Sequence, residues 1–170
     1  MTKELNIGIV GLGTVGSGVI KSIEKNKEYF KNNYDVKFNI IGISANSKNK
    51  ERSFDVDSYN WFDEPLELIS EKNIDTIIEL VGGEDGLAYE LAINSLKNKM
   101  NFITANKALI SKHGEELASL SEKNNNFFGF EASVAGGIPI IKTLKESIIL
   151  NEIQKVFAIL NGTSNYILSS

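Results

Sequence analysis

Cysteine is absent from the 170 residues, histidine and tryptophan occur once each, and proline occurs twice. Without cysteine there is no disulfide, no thiolate metal site and no cysteine nucleophile, and the lone His113 cannot form a zinc site by itself. No apolar run reaches the roughly 18 residues of a membrane span. The start Met1-Thr2-Lys3-Glu4 runs straight into the first apolar segment, so neither export nor anchoring is expected. Basic excess is missing too: 18 lysines and arginines face 22 acids, for a net charge of −4. With no lysine-arginine block, nucleic acid and anionic membrane are not expected as partners, because both need a concentrated basic face. These absences leave a cytoplasmic protein with a small-molecule partner. The chain is 42% hydrophobic and 24% charged, the composition of a globular domain rather than a disordered or fibrous one. One domain over 1–170 is expected.

What is present is an alternation of apolar, β-branched runs with helix-patterned segments, the sign of parallel strands joined by crossover helices. Strands are expected over 5–10, 36–44, 75–81, 101–104, 127–130 and 153–160. Helices are expected over 15–31, 65–72, 86–98, 107–123 and 139–149. Pro65 and Pro139 each suit a first helical turn, where a missing N–H costs nothing. The polar stretch 46–63 reads as a loop held to the core by Trp61 and Phe62. Clusters 48–52 and 124–126 read as solvated surface, with Lys48 set apart, and His113 reads as surface rather than catalytic. The predicted class is α/β, with a doubly wound, mostly parallel sheet.

Gly11-Leu12-Gly13-Thr14-Val15-Gly16 lies directly after the first apolar run and before a helical pattern marked by Val15, Val19 and Ile23. In that context each glycine has its own task. Gly11 turns the strand sharply, Gly13 lets backbone approach a pyrophosphate, and Gly16 lets the helix pack on the strand. The first helical turn then presents free N–H groups and a positive dipole end to phosphate. A Rossmann-type domain binding a nicotinamide dinucleotide is expected, against the plainer reading of a strand-to-helix turn. The choice between NAD and NADP is made at the end of the second strand, where an acid binds a ribose hydroxyl and a cation binds a 2′-phosphate. The run Ser44-Ala45-Asn46-Ser47-Lys48 has no acid, and Lys48, Lys50 and Arg52 follow it. Asp35 precedes the second strand and falls at the wrong end of the sheet. The sequence therefore leans toward NADP, with Asn46 and Lys48 as candidate contacts.

Three later segments fall at strand carboxyl ends: Thr104-Ala105-Asn106-Lys107-Ala108-Leu109, the stretch from Phe130 through Glu131 to Pro139, and Asn161-Gly162-Thr163-Ser164-Asn165-Tyr166. Together with the glycine loop, and in the same order, they resemble the homoserine dehydrogenases from about Ile7 to Leu168. The resemblance implies interconversion of L-homoserine and L-aspartate 4-semialdehyde, in threonine and methionine biosynthesis, by a homodimeric enzyme. It implies that Lys107 lies beside nicotinamide and substrate, where the alternative is a solvated lysine opening a helix. It also implies a monovalent cation such as sodium on the Glu131 side chain and the carbonyls of Val134, Gly136 and Ile138. The competing role for Glu131 is a cap on the next turn or helix. Gly82 is expected against the ribose or nicotinamide, or else as a turn with positive φ.

The chain departs from the family pattern in three ways. Family members continue past the Asn-Gly-Thr segment into a substrate domain, so the chain is expected to be a cofactor half that is inactive alone, with an exposed apolar edge near 156–160. Ser164 stands where the family has cysteine, and Asn46 where many members have a basic residue. Two other readings remain open: a dinucleotide sensor module, and an oxidoreductase of another semialdehyde or imine.

Overall fold

The structure, a computed structural model, describes residues 2–157. In chain order its elements are β1 (Lys3–Val10), α1 (Thr14–Tyr34), β2 (Val36–Ser44), β3 (Asn60–Trp61), α2 (Glu67–Ser70), β4 (Thr76–Glu79), α3 (Leu87–Lys97), β5 (Asn101–Thr104), α4 (Lys107–Asn124), β6 (Phe128–Gly129) and α5 (Ile140–Lys142). The strands form one sheet in the order β3-β2-β1-β4-β5-β6, every neighbouring pair parallel. The chain therefore winds outward from β1 to β3, returns to the middle at β4, and winds outward again. Loops leaving β1 and β4 diverge at that reversal and open a crevice at the strand carboxyl ends.

Both faces of the sheet are covered, so the central strands carry no polar alternation; all four residues of β4 are buried. On one face α1 sets Ile20 against Ile7, Ile9, Ile43 and Ile78. On the other, α3 and α4 bring Leu91, Leu96, Leu109 and Leu117 onto Val10, Ile77 and Phe102. At about 1.5–3 kcal/mol for each fully buried Leu, Ile or Phe, these two layers dominate the stability of the fold. Among the described residues no helix is long and apolar enough to cross a membrane.

The structure departs from the sequence reading at several places. The expected loop 46–63 contains β3, which pairs with Gly42 and Ile43 of β2 and supplies the sixth strand. Trp61 and Phe62 pack against the two cores, as expected. The strand expected over 153–160 does not appear in 153–157, and its remainder lies outside the described residues. Val156 and Phe157 are exposed. Helix 139–149 is replaced by the single turn of α5 and a wide turn over Thr143–Ser147. There the Thr143 hydroxyl donates to the Pro139 carbonyl at 2.7 Å, and Ile148 N–H reaches back five residues to Thr143 O. Helix 65–72 shortens to α2. The asparagines over 124–126 are not merely solvated: Asn124 and Asn126 donate to the Leu96 carbonyl at 3.0 and 2.9 Å, and Asn126 also to Met100 O. They add side-chain donors to carbonyls at and just beyond the end of α3, where Leu96 O also accepts from Lys99 N–H at 3.2 Å. Asn125, at φ 55°, closes α4 in the left-handed conformation.

Candidate functional site

The turn between β1 and α1 is shaped by close approaches that only glycine allows. Gly11 has φ +97°, and a Cβ there would lie 2.6 Å from the Leu80 carbonyl. A Cβ on Gly16 would lie 1.9 Å from the Gly11 oxygen, so α1 rests directly on the loop that precedes it. Gly13 differs: a Cβ there would meet nothing within 4 Å, because its open side faces the crevice. Gly13 is also the N-cap of α1, which has no side-chain cap and no acid in its first turn. The amides of that turn, those of Thr14, Val15 and Gly16, thus have no side-chain cap, and the positive end of a 21-residue helix lies with them, an arrangement that favours negative charge. Val15, expected on the helix's core stripe, is instead 57% exposed beside this opening; Val19 and Ile23 do pack inward.

Next to the glycine loop a cleft of about 270 Å³ is lined by Gly11, Gly13, Asn46, Lys50, Arg52 and Val81, among others. Asn46 stands in its wall. Lys48 is not among the lining residues; its ammonium pairs with Asp57 at 3.0 Å. The basic side chains at the cleft are Lys50 and Arg52. Arg52 is a staple. It donates from Nε to Leu12 O at 3.3 Å, from Nη1 to Lys48 O and Lys50 O, and from Nη2 to Ser47 O at 2.7 Å. Its guanidinium lies 5.8 Å from the centre of the Trp61 ring. Asp35 sits at the far end of α1, bonded to the Thr2 hydroxyl, at the opposite rim from the cleft.

The loops after β4 and β5 are joined by a group that the sequence reading passed over. Glu79, the last residue of β4, is wholly buried and is the one charged residue type in the buried set of the described residues. Its Oε1 accepts from the backbone N–H groups of Val81 (2.7 Å) and Gly82 (3.0 Å), and its Oε2 from the Thr104 hydroxyl (2.5 Å). Thr104 Oγ1 in turn accepts from Asn106 N–H at 2.9 Å. Asn106 caps α4 by accepting from Leu109 N–H at 3.1 Å, and its Nδ2 donates to the Gly83 carbonyl. A charged residue inside the apolar run Ile77-Ile78-Glu79-Leu80-Val81 was the available signal. Gly82 and Gly83 have φ of +81° and +89° with no close neighbour at either Cα, so conformation rather than packing requires glycine there. Lys107 opens α4, is exposed, and has no hydrogen-bond or ion-pair partner among the described residues. A cation at a helix N-terminus opposes the dipole, so α4 gains no stability from it.

Beyond Gly83 the loop carries Glu84 and Asp85, which pair with Lys112 of α4. His113 bonds Asp85 at 2.8 Å and packs on the Tyr89 ring, so it is half-buried and structural rather than free surface. The Lys112 ammonium, and after it His113, hold the Asp85 carboxyl below its ordinary value. Glu131 serves as a cap: its two oxygens accept from Ile141 N–H (3.0 Å) and Lys142 N–H (2.8 Å). The nearby Ile138 carbonyl accepts from Ile140 N–H at 2.8 Å, and Val134 and Gly136 flank Ala135, which has φ 55°. A larger cleft of about 580 Å³ lies beside Glu131, between α4 and α5, lined by Ser121, Glu122, Phe128, Pro139 and Lys142 among others. No cluster of three or more His, Cys, Asp or Glu that could hold a metal ion occurs among the described residues. The segment 161–166 lies outside the described residues.

A parallel sheet that reverses its winding between β1 and β4, with a glycine turn and an uncapped helix at that point, defines a dinucleotide-binding α/β domain of the Rossmann type. The chain belongs to the homoserine dehydrogenase family: residues 11–131 match that family's NAD-binding domain, and 139–170 match a second homoserine dehydrogenase region. It is 40% identical to the homoserine dehydrogenase of Neisseria gonorrhoeae, covering 98% of this chain and 38% of the relative, and 43% identical to that of Helicobacter pylori, covering 99% and 39%. The chain thus spans about two fifths of the length of these relatives. The crystal structure of a Thiobacillus denitrificans homoserine dehydrogenase superposes with a TM-score of 0.85 at 33% identity, over 98% of this chain and 38% of the other. A hyperthermophilic archaeal homoserine dehydrogenase in complex with NADPH gives 0.65 at 25% identity, over 83% and 48%.

Proposed function

We propose that this chain is the nicotinamide-dinucleotide-binding domain, over 1–170, of a cytoplasmic, homodimeric homoserine dehydrogenase, which interconverts L-homoserine and L-aspartate 4-semialdehyde. The observation that carries the reading is the glycine loop: Gly11 and Gly16 exclude any side chain, while Gly13 faces open space at an uncapped helix N-terminus. In this reading Gly11, Gly13, Thr14, Val15 and Gly16 take the pyrophosphate on bare main chain, and Asn46 meets the adenosine ribose. NADP is favoured over NAD because the wall after β2 offers Lys50 and Arg52 and no acid, with Lys48 one step removed. Gly82 lies along the nicotinamide side, and Lys107 stands by the reacting carbon, free to polarise the semialdehyde oxygen and to hold the dinucleotide. The bound nicotinamide supplies the hydride acceptor and donor. What the protein residues contribute is placement and charge.

By the same resemblance Glu131, with the carbonyls of Val134, Gly136 and Ile138, would take a monovalent cation such as sodium, a hard ion suited to oxygen ligands. The bonds from Glu131 to Ile141 and Lys142 support capping as the role of this carboxylate when no ion is bound. The reading is tested in the complete protein by L-homoserine-dependent reduction of NADP, with Lys107→Ala alongside. Turnover that depends on homoserine and falls by about a hundredfold or more in the variant is expected. Near-normal turnover in Lys107→Ala would retire that residue's role, and absence of any dinucleotide binding by calorimetry would retire the whole assignment.

A further inference from the structure

Burying a carboxylate is costly unless its acceptor capacity is filled, and exchange for an apolar residue is often neutral or favourable to folding. The interior position of Glu79 therefore calls for a reason beyond stability. None of its bonds belongs to the sheet ladder: two go to the loop after β4, and the third goes to Thr104, its in-register partner on β5. A strand-end acid that merely capped its own turn would stop at Val81 and Gly82. Here the connection continues through Thr104 Oγ1 to the Asn106 amide, and the Asn106 side chain returns to the Gly83 carbonyl while capping α4. Two adjacent glycines at positive φ form a turn that is entropically expensive to hold in one shape, and this network holds it. On the other flank of Glu79, in register, stands Val10, and the following Gly11 lies against Leu80.

We propose that Glu79, acting through Thr104 and Asn106, is the positioning residue for the nicotinamide half of the site. It fixes the Val81-Gly82-Gly83 turn and the start of α4, and so Lys107, in one relation to each other. The proposal rests on the reading that a nicotinamide dinucleotide lies along this rim, with its adenosine end at the Asn46 cleft. Glu79 touches no ligand itself. Its effect should therefore be confined to the nicotinamide end.

The test uses the complete protein and two probes: NADPH, and 2′-phospho-ADP-ribose, which keeps the adenosine end and the diphosphate but lacks the nicotinamide ring. Glu79→Gln, Thr104→Val and Thr104→Ser are compared with wild type by calorimetry and by nicotinamide fluorescence. In Glu79→Gln and Thr104→Val, NADPH affinity should fall by about tenfold, with loss of the bound-state fluorescence change, while 2′-phospho-ADP-ribose affinity stays within about twofold. Thr104→Ser, which keeps the hydroxyl, should restore wild-type values for both probes. Should Thr104→Val not fold, Asn106→Ser keeps an oxygen to cap α4 but loses the bond to Gly83, and the same split is expected. Equal losses for both probes, or no loss for either, would overturn the proposal. Wild-type protein that binds neither probe would instead overturn the dinucleotide reading on which it rests.

Discussion

The two sides of the crevice are anchored by opposite chemistry. On the β2 side a partly exposed cation, Arg52, gathers the carbonyls of Leu12, Ser47, Lys48 and Lys50. On the β4 side a buried anion, Glu79, gathers the N–H groups of Val81 and Gly82 and the hydroxyl of Thr104. Both devices convert a loop into a fixed wall, but they sit at different depths. Water competes for the carbonyls around Arg52 and replaces its bonds at low cost. The Glu79 carboxylate is wholly buried and its bond to Thr104 is buried, so water replaces a bond lost there less readily. The glycine loop lies between them; close packing, with Gly11 against Leu80 and Gly16 against Gly11, adds to its bonds from Gly11 N–H to Ser44 O and from Arg52 to Leu12 O.

The largest effect that separates packing from hydrogen bonding is expected within the glycine loop. Gly16→Ala, whose Cβ would stand 1.9 Å from a backbone oxygen, should cost about 3 kcal/mol or more in urea unfolding. Gly13→Ala should leave stability nearly unchanged yet weaken dinucleotide binding by about tenfold or more, because its side chain would enter only the ligand's space. Next in size is the contrast between the two anchors. Glu79→Ala takes the acceptor from the buried Thr104 hydroxyl and from two part-buried amides and should cost about 3 kcal/mol, whereas Arg52→Ala should cost about 1 kcal/mol. Equal values in denaturant melts would erase the distinction drawn from depth. The smallest effect is on the exposed continuation of the β4 loop. Asp85, held below its ordinary value of 3.8 chiefly by Lys112 and then by His113, contributes stability above that value. The contribution fades as pH falls through the lower folded value, so thermal melts of Asp85→Asn across the acid range should show a shallower decline than wild type.

Much of this was legible in the sequence because local spacing and local structure coincide. The glycine loop, β1, β2, β5 and the helices α1, α3 and α4 follow from apolar period and turn chemistry acting within a few residues. β3 escaped because two residues carry no period; only its pairing to β2 makes it a strand. Arg52 looked like one more surface cation, since its value depends on carbonyls brought to it by the fold. Asn124 and Asn126 likewise make sense only once Leu96 lies beside them. Glu79 was absorbed into a strand read over 75–81, where the run of apolar neighbours hid a carboxylate whose one distant partner, Thr104, lies 25 residues away on β5. The C-terminal helix failed for a different reason. Its composition is helical, but beyond α5 the chain widens into the turn over Thr143–Ser147, where Ile148 N–H reaches back five residues to Thr143 O.

One consequence of the Glu79 network concerns the state in which the site waits. Tandem glycines on an open rim would ordinarily sample many shapes, and a ligand would have to select among them. With Val81 and Gly82 tied to an interior acceptor, that selection is made when the chain folds, and docking meets a surface already set, at little further loss of freedom.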